Sequence, residues 1–423
     1  MSIRTPLAEK LILISLAIFC FMTLGSMATM SIGTAFLILP FVAMKRTKVF
    51  GSAPAGFSVS EGTVGQYLRI TAALVSALAF SLVVAKNWPL SYSGKISEVQ
   101  FADDLKKVWH LFIPPIVAYC FVLVPETSRR KIGVAYGVVF LIFSVIGFQQ
   151  FFTGWPRPQG VPEWPGRFHS TIFLGHHLSL ASIWIFPWFV ALELAFSGKE
   201  SLRVRAFAWA CVVFGGASLF FSLSRMLWVA LPVGIALWTV LRLPGKLRIA
   251  AVAALVLIAG VATQIPAISL RLNSHIGAGT RVELWKANWE FFKARPWTGV
   301  GFRHTQEMSG LYLMEKFNSQ DVFSGHAHNN FLEMLGGSGI LGTLAWLAWC
   351  FFWFQQSYVL LQTKSSKVLF GLGPSAWGRA LLAVGVVFQL NGLTQVNFWE
   401  AKVMHSLTFF MGLLLAARVE FRK

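Results

Sequence analysis

Twelve apolar runs decide most of what this chain can become. They fall near 11–27, 29–44, 68–85, 108–125, 132–150, 171–193, 206–222, 226–241, 248–265, 336–357, 379–395 and 401–417. Crossing the hydrocarbon of a bilayer takes about 20 apolar residues in an α-helix. Backbone N–H and C=O groups meet no water there, so each run must satisfy them internally, as a helix does. Only 13% of the 423 residues are charged, about half the share of a soluble domain, so most of the surface belongs in lipid. The expected fold is an all-α integral membrane protein of about twelve transmembrane helices. The first two runs are the hardest to divide, because LILISLAIFCFMTLGSMATMSIGTAFLILPFVAM contains no charge.

The formal charge of +19 does not point to nucleic acid. The basic residues punctuate apolar runs and form no continuous stripe. With a cytoplasmic N-terminus they recur at every inward turn, as in Lys45, Arg46 and Lys48, Arg129 to Lys131, Lys199 to Arg205, Arg242 to Arg248, Lys364 and Lys367, and Arg418 to Lys423. That is the positive-inside pattern, and it keeps both termini inside. MSIRTPLAEK then reads as the start of an uncleaved first helix. Cys20, Cys120, Cys211 and Cys350 stand apart within apolar runs and read as small apolar residues.

This topology divides the chain into nine spans over 1–265, a large external loop over 266–335 and three spans over 336–423. Segments 86–107 and 151–170 also face outward. The large loop far exceeds the ordinary connection of about 4–6 residues. Within it, Val282, Trp285, Trp289 and Phe292 recur at helical spacing. Thr280 and Glu283 fit a capping box and Pro296 marks an end. The expectation is an amphipathic helix lying on the membrane with its tryptophans at headgroup level, a role compatible with an ordinary packed helix.

The loop ends in HAHNN, residues 326–330, followed by an apolar stretch containing GGSGILG at 336–342. A histidine at the mouth of a span can cap the helix, order the loop or exchange a proton. The glycines permit either close helix packing or approach of the backbone to the histidine loop or to a lipid. His176 and His177, in FLGHHLSLA, and Arg167 in the preceding loop are further candidates for contact with a lipid-borne phosphate. No Walker loop, HExxH, dinucleotide fingerprint, cysteine cluster or convincing carboxylate pair occurs.

Three segments together resemble the bacterial O-antigen ligases, within the larger O-antigen ligase and polymerase superfamily. His328 and Asn329, then nine residues, Gly339, two residues and Gly342 fit the superfamily pattern after its longest external loop. GTRVELWKANWEFFKARPWTGVGF at 279–302 resembles the loop segment that carries a family arginine, and SLSRMLWVALPVG at 222–234 its serine–arginine turn. The resemblance implies an inverting glycosyltransferase of the bacterial inner membrane with a periplasmic active site. It would move an O-antigen glycan from undecaprenyl diphosphate to a lipid A-core sugar hydroxyl, with no metal or other cofactor. His328, Arg281 and Arg225 take the catalytic roles. Arg225, Arg281, Arg303, Asn329, Arg167 and His177 are the candidate substrate contacts. Partners are the lipid-linked donor, the lipid A-core acceptor and membrane lipids, with no nucleic acid. The alternatives are an O-antigen polymerase, a protein O-oligosaccharyltransferase or, from another class, a polyprenyl-linked glycan transporter.

The topology is directly testable. A reporter cysteine near Ser309 should react with a membrane-impermeant reagent in intact cells, while one at Lys364 should be protected. The reverse pattern would invert the whole arrangement.

Overall fold

The computed structural model describes residues 6–46, 62–90, 98–273, 278–318 and 324–422. In chain order the helices are α1 (Pro6–Met22), α2 (Met27–Arg46), α3 (Gly62–Asn87) and α4 (Glu98–Leu105), the last continuing through a 3-10 segment into α5 (Ile113–Leu123). After α6 (Glu126–Thr153) comes a small antiparallel hairpin, β1 (Gly160–Val161) and β2 (Trp164–Phe168). There follow α7 (His177–Ile183), α8 (Ile185–Ala195), α9 (Leu202–Phe221), α10 (Arg225–Arg242) and α11 (Gly245–Ala262). The large loop holds α12 (Pro266–Asn273), α13 (Ala278–Ala294) and α14 (Thr305–Phe317). α15 (Asn330–Gln362), α16 (Pro374–Asn391) and α17 (Ala401–Glu420) complete the chain.

The chain is an all-α integral membrane protein, and each of the twelve apolar runs falls on helical structure. Among the described residues, nine helical segments are long and apolar enough to cross a membrane. The charge-free N-terminal run breaks at 23–26 into α1 and α2, whose apolar stretches, Lys10–Met22 and Ala28–Ile38, are shorter. α16 is not among the nine because it is less apolar. It carries Arg379, whose guanidinium meets the Glu193 carboxylate at 2.7 and 2.9 Å. Glu193 also accepts from Trp238 at 2.7 Å and from Arg242 at 2.8 Å. A buried charge survives when paired in this way.

Burial orders the helices from centre to rim. α17 is buried almost throughout, from Val403 to Ala417, and its Phe409 and Phe410 pack with Phe19, Phe121 and Phe186. α11 has no buried residue at all, so its apolar surface is left for lipid. The four cysteines are free and buried.

The large loop packs differently from its apolar pattern. The buried residues of α13 are Leu284, Ala287, Asn288 and Phe291, while Val282 is 43% and Trp289 47% exposed. Its inner face rests on α15, which leaves Val282 and Trp289 outward while Trp285 turns toward the histidine loop. The helix also begins two residues before the expected cap. Thr280 lies inside its first turn, and Glu283 pairs with Lys286 and Lys316 instead of reaching back. Ser309 is fully buried, so the topology reporter belongs at exposed Glu315.

GGSGILG serves a specific approach. At Gly339 α15 departs from helical geometry, with φ +62° and ψ −163°. There the segment 296–301 lies against the opened helix. Val300 and Gly301 donate their N–H groups to the carbonyls of Gly336 and Gly337, both at 2.9 Å. Ile340 donates to Pro296 at 2.8 Å and Leu341 to Trp297 at 3.3 Å. The glycine faces the loop that follows α13, and neither the histidine loop nor a lipid. A Cβ at Gly339 would stand 2.4 Å from the Trp297 carbonyl carbon.

Gly339→Ala therefore combines a left-handed backbone, costing about 1–2 kcal/mol, with a clash against main chain that cannot swing aside. The variant should lose yield and thermal stability in detergent, whereas Gly279→Ala, where an added Cβ meets open space, should not. Equal melting of Gly339→Ala and the parent would show that the kink is dispensable.

Candidate functional site

Several turns at one end of the bundle hold non-glycine residues at positive φ, three of them at or next to the residues singled out by the sequence. These three are Leu223 at 56°, Arg303 at 64° and His328 at 47°. Such backbone costs energy and persists where the surroundings enforce it, most often around functional sites.

At the first turn, α9 ends at Phe221 and α10 begins with Arg225. Arg271 of α12 fixes the turn between them. Its guanidinium donates to the Leu223 carbonyl at 3.2 and 3.3 Å and pairs with Glu163 at 2.6 Å. Arg225, Arg271, Arg281 and His177 then line one cavity of about 440 Å³. Arg225 opens α10 and Arg281 lies in the first turn of α13, so two helix N-termini add their amide groups to the guanidinium charge. No Asp or Glu is among the described residues lining it. Burial, Arg225 and Arg271 all lower the pKa of Arg281, although a guanidinium stays protonated. Arg225 and Arg281, beside an Arg271 already paired with Glu163, are matched to an anion, which arginine forks bind bidentately.

The histidine loop is fixed from three sides. Ser309 bonds Gly325, accepting from its N–H at 3.2 Å and donating to its carbonyl at 2.8 Å. Trp285, one turn after Arg281 on α13, donates to the Ala327 carbonyl at 2.8 Å. Glu333, on the first turn of α15, accepts from the Ala327 N–H at 2.7 Å and from the Thr305 hydroxyl. Asn329 caps α15, its Oδ1 accepting from Phe331 and Leu332 at 2.9 and 3.1 Å. Asn330 ties the same helix start to Asn397 and Phe398. Capping is thus the work of Asn329 and not of His328.

His328 packs edge to face on His326, ring centres 4.2 Å apart, and its backbone N–H donates to His326 Nδ1. Its own Nδ1 is buried, with no hydrogen-bond partner among the described residues. Burial first, then His326, Arg281 and His176, push its pKa down to about 3. The imidazole is therefore neutral, with a nitrogen available to accept a proton. A second histidine group stands beside it. His177 stacks on His169 at 4.1 Å and on His176 at 4.8 Å.

These rings separate two cavities. His177 lines the arginine cavity, while His176 and His326 line a second one of about 410 Å³ together with Lys107, Arg303, Glu333, Trp399 and Glu400. Residues 207–347 match the O-antigen ligase family. That segment is similar to the O-antigen ligases. The match takes in the turn at Arg225, the whole of α13 with Arg281, and the histidine loop with the α15 kink. No curated protein matches the chain.

Of the residues expected to bind substrate, Arg225, Arg281 and His177 line the arginine cavity, and Arg303 lines the other one. Asn329, whose amide is taken up by the helix cap and the Leu393 carbonyl, lines neither, nor do His328 and Arg167. Arg167 is exposed on β2, its guanidinium 5.4 Å from the Phe152 ring centre and 5.8 Å from that of Phe151. Arg271, Lys107, Glu333 and Glu400 were not singled out by sequence reasoning. A glutamate inside an apolar run, as in FLEMLGG, was the available clue for Glu333. No group of three or more His, Cys, Asp or Glu among the described residues is placed to hold a metal ion.

Removing the Glu333 carboxylate leaves a fully buried Ala327 N–H without its acceptor, a loss of about 1–3 kcal/mol. Glu333→Ala should raise amide hydrogen exchange across 325–329 while the spans stay protected. Unchanged exchange in that loop would mean that Trp285 and Ser309 hold it unaided.

Proposed function

We propose that the protein transfers a glycan from a polyprenyl diphosphate, O-antigen on undecaprenyl diphosphate, to a sugar hydroxyl of lipid A-core at the periplasmic face of the inner membrane. The family match supports chemistry of the ligase and polymerase type. The observation that carries the reading further is the cavity lined by Arg225, Arg271 and Arg281, with Glu163 paired to Arg271 behind the lining, near a neutral, buried His328.

The arginines hold the diphosphate and stabilise it as it leaves, because charge grows on the bridging oxygen as the bond to the sugar breaks. The acceptor hydroxyl attacks the anomeric carbon from the opposite side. A new C–O bond forms while the bond from that carbon to the diphosphate oxygen breaks, which inverts the centre. The hydroxyl proton passes to His328, and the imidazolium then gives it up to the departed diphosphate or to solvent. The activated donor supplies the driving force, so this chain's residues bind, orient and move one proton. The outward face of α13, with Val282 and Trp289, rests at the membrane interface close to the donor's lipid.

Arg281→Lys keeps a charge and loses the planar fork, so transfer should fall by about ten- to a hundredfold while the protein still folds. The deciding assay uses purified protein, lipid-linked glycan and two acceptors, lipid A-core and a second lipid-linked glycan. Transfer only to the latter would make the protein a polymerase.

The pH dependence follows from the histidine. In the empty site His328 is neutral above about pH 3, so the acid limb of kcat/KM should lie well below its ordinary 6.5. Bound diphosphate opposes the arginine charge and favours imidazolium. The limb of kcat should therefore lie at higher pH than that of kcat/KM, and activity falls as pH drops through it. Residual activity of His328→Gln should lack this limb. Near-parental transfer by folded His328→Gln would remove the imidazole from proton transfer.

A further inference from the structure

The second cavity is lined quite differently from the arginine cavity. It carries both signs of charge, with Lys107 and Arg303 facing a space that also meets Glu333 and Glu400. Glu333 is occupied with Thr305 and Ala327. Glu400 stands immediately before α17 and accepts a hydrogen bond from the Ser179 hydroxyl. Burial raises the pKa of its carboxyl, with Ser179 and then Lys402 opposing. Arg303 is held in place by the Trp399 carbonyl at 3.0 Å and by Asp104 at 3.3 Å. Trp399 meets Phe302 edge to face, ring centres 4.6 Å apart.

This lining selects by chemistry. Carboxylates lining a cavity disfavour a second diphosphate by like-charge repulsion. A neutral polyol suits the space better. Its hydroxyls donate to carboxylates and accept from ammonium and guanidinium groups, while an aromatic wall covers its CH surface. The volume, about 410 Å³, lies in the ordinary range for a small-ligand site. Its position matters as much. His326 belongs to this cavity, and its ring centre is 4.2 Å from that of His328. A hydroxyl seated here lies beside His326, the ring on which His328 packs, and outside the cavity that the three arginines line.

We infer that the second cavity seats the acceptor glycan, with Glu400 and Arg303 bonding its hydroxyls and Trp399 covering a sugar face. This rests on the glycosyl-transfer reading above and adds where the acceptor lies and which residues choose it.

The test uses the full chain in lipid nanodiscs, with lipid-linked glycan as donor and lipid A-core as acceptor. Glu400→Gln keeps the size of the side chain and an oxygen for Ser179 but loses the carboxylate. It should raise the acceptor KM by about tenfold or more and leave the donor KM within about twofold of the parent. A raised donor KM with an unchanged acceptor KM would assign the cavity to the donor's glycan and overturn the inference, as would no change in either. A benzophenone side chain at Gln306, an exposed residue of the lining, gives a readout that needs no Glu400 variant. It should capture labelled acceptor without donor present, and capture of donor alone would overturn the assignment. If the parent transfers glycan to neither acceptor, the glycosyl-transfer reading fails. Acceptor capture from Gln306 would then still support the cavity's occupant.

Discussion

The arrangement depends on a backbone-to-backbone contact between a span and the loop outside it. Helices rarely pair laterally with extended chain, because their amides are already used. α15 does so by opening at Gly339, where the left-handed residue frees carbonyls and N–H groups on both sides for segment 296–301. Gly299 completes the approach, since a Cβ there would lie 2.4 Å from the Gly336 oxygen. Four main-chain hydrogen bonds across this seam fix α13 and α14 relative to α15. Arg281 and the histidine loop then come from one rigid unit, although nearly fifty residues separate them. The helices α13 and α14 of the large loop are thereby tied to the bundle through main chain.

On that frame the electrostatics divide into two compartments. One side gathers guanidinium groups without a lining carboxylate, and the other mixes charges around an aromatic wall. Between them stand five imidazoles, three of them stacked and two packed edge to face. Burial keeps His169, His176 and His328 deprotonated at neutral pH, so the partition adds little positive charge of its own. A neutral partition lets one ring accept a proton without first having to lose one. It also leaves the attraction for the anion to groups that cannot titrate.

The spans were legible because lipid permits few solutions. A run such as 401–417 has no alternative to a helix, and the structure places it at the centre. The site was legible in part. SLSR and HAHNN were visible as polar residues at the mouths of spans, and both border the arginine cavity or its histidine partition. The face of α13 was less readable, since periodicity records that Val282, Trp285, Trp289 and Phe292 share a side but not what that side meets. Leu284, Ala287 and Phe291 form an equally apolar stripe, and packing on α15 chose it. Glu400 and Arg271 escaped for another reason. Each gains its meaning from partners more than a hundred residues away, Ser179 and Glu163, and no local pattern announces such a pairing.

The long helix also makes a ruler. From Asn330 to Ser338, α15 is a stub that projects from the kink to the histidine loop. Its length in residues sets both the height of His328 above the seam and the direction in which the ring points. One residue inserted in the stub would turn the loop by about 100° and raise it by about 1.5 Å, carrying the imidazole off the partition. The same insertion beyond Gly342 would be taken up by the far end of α15, where Lys364 and Lys367 follow. Length variation in a chain built this way is therefore confined to one side of a single glycine.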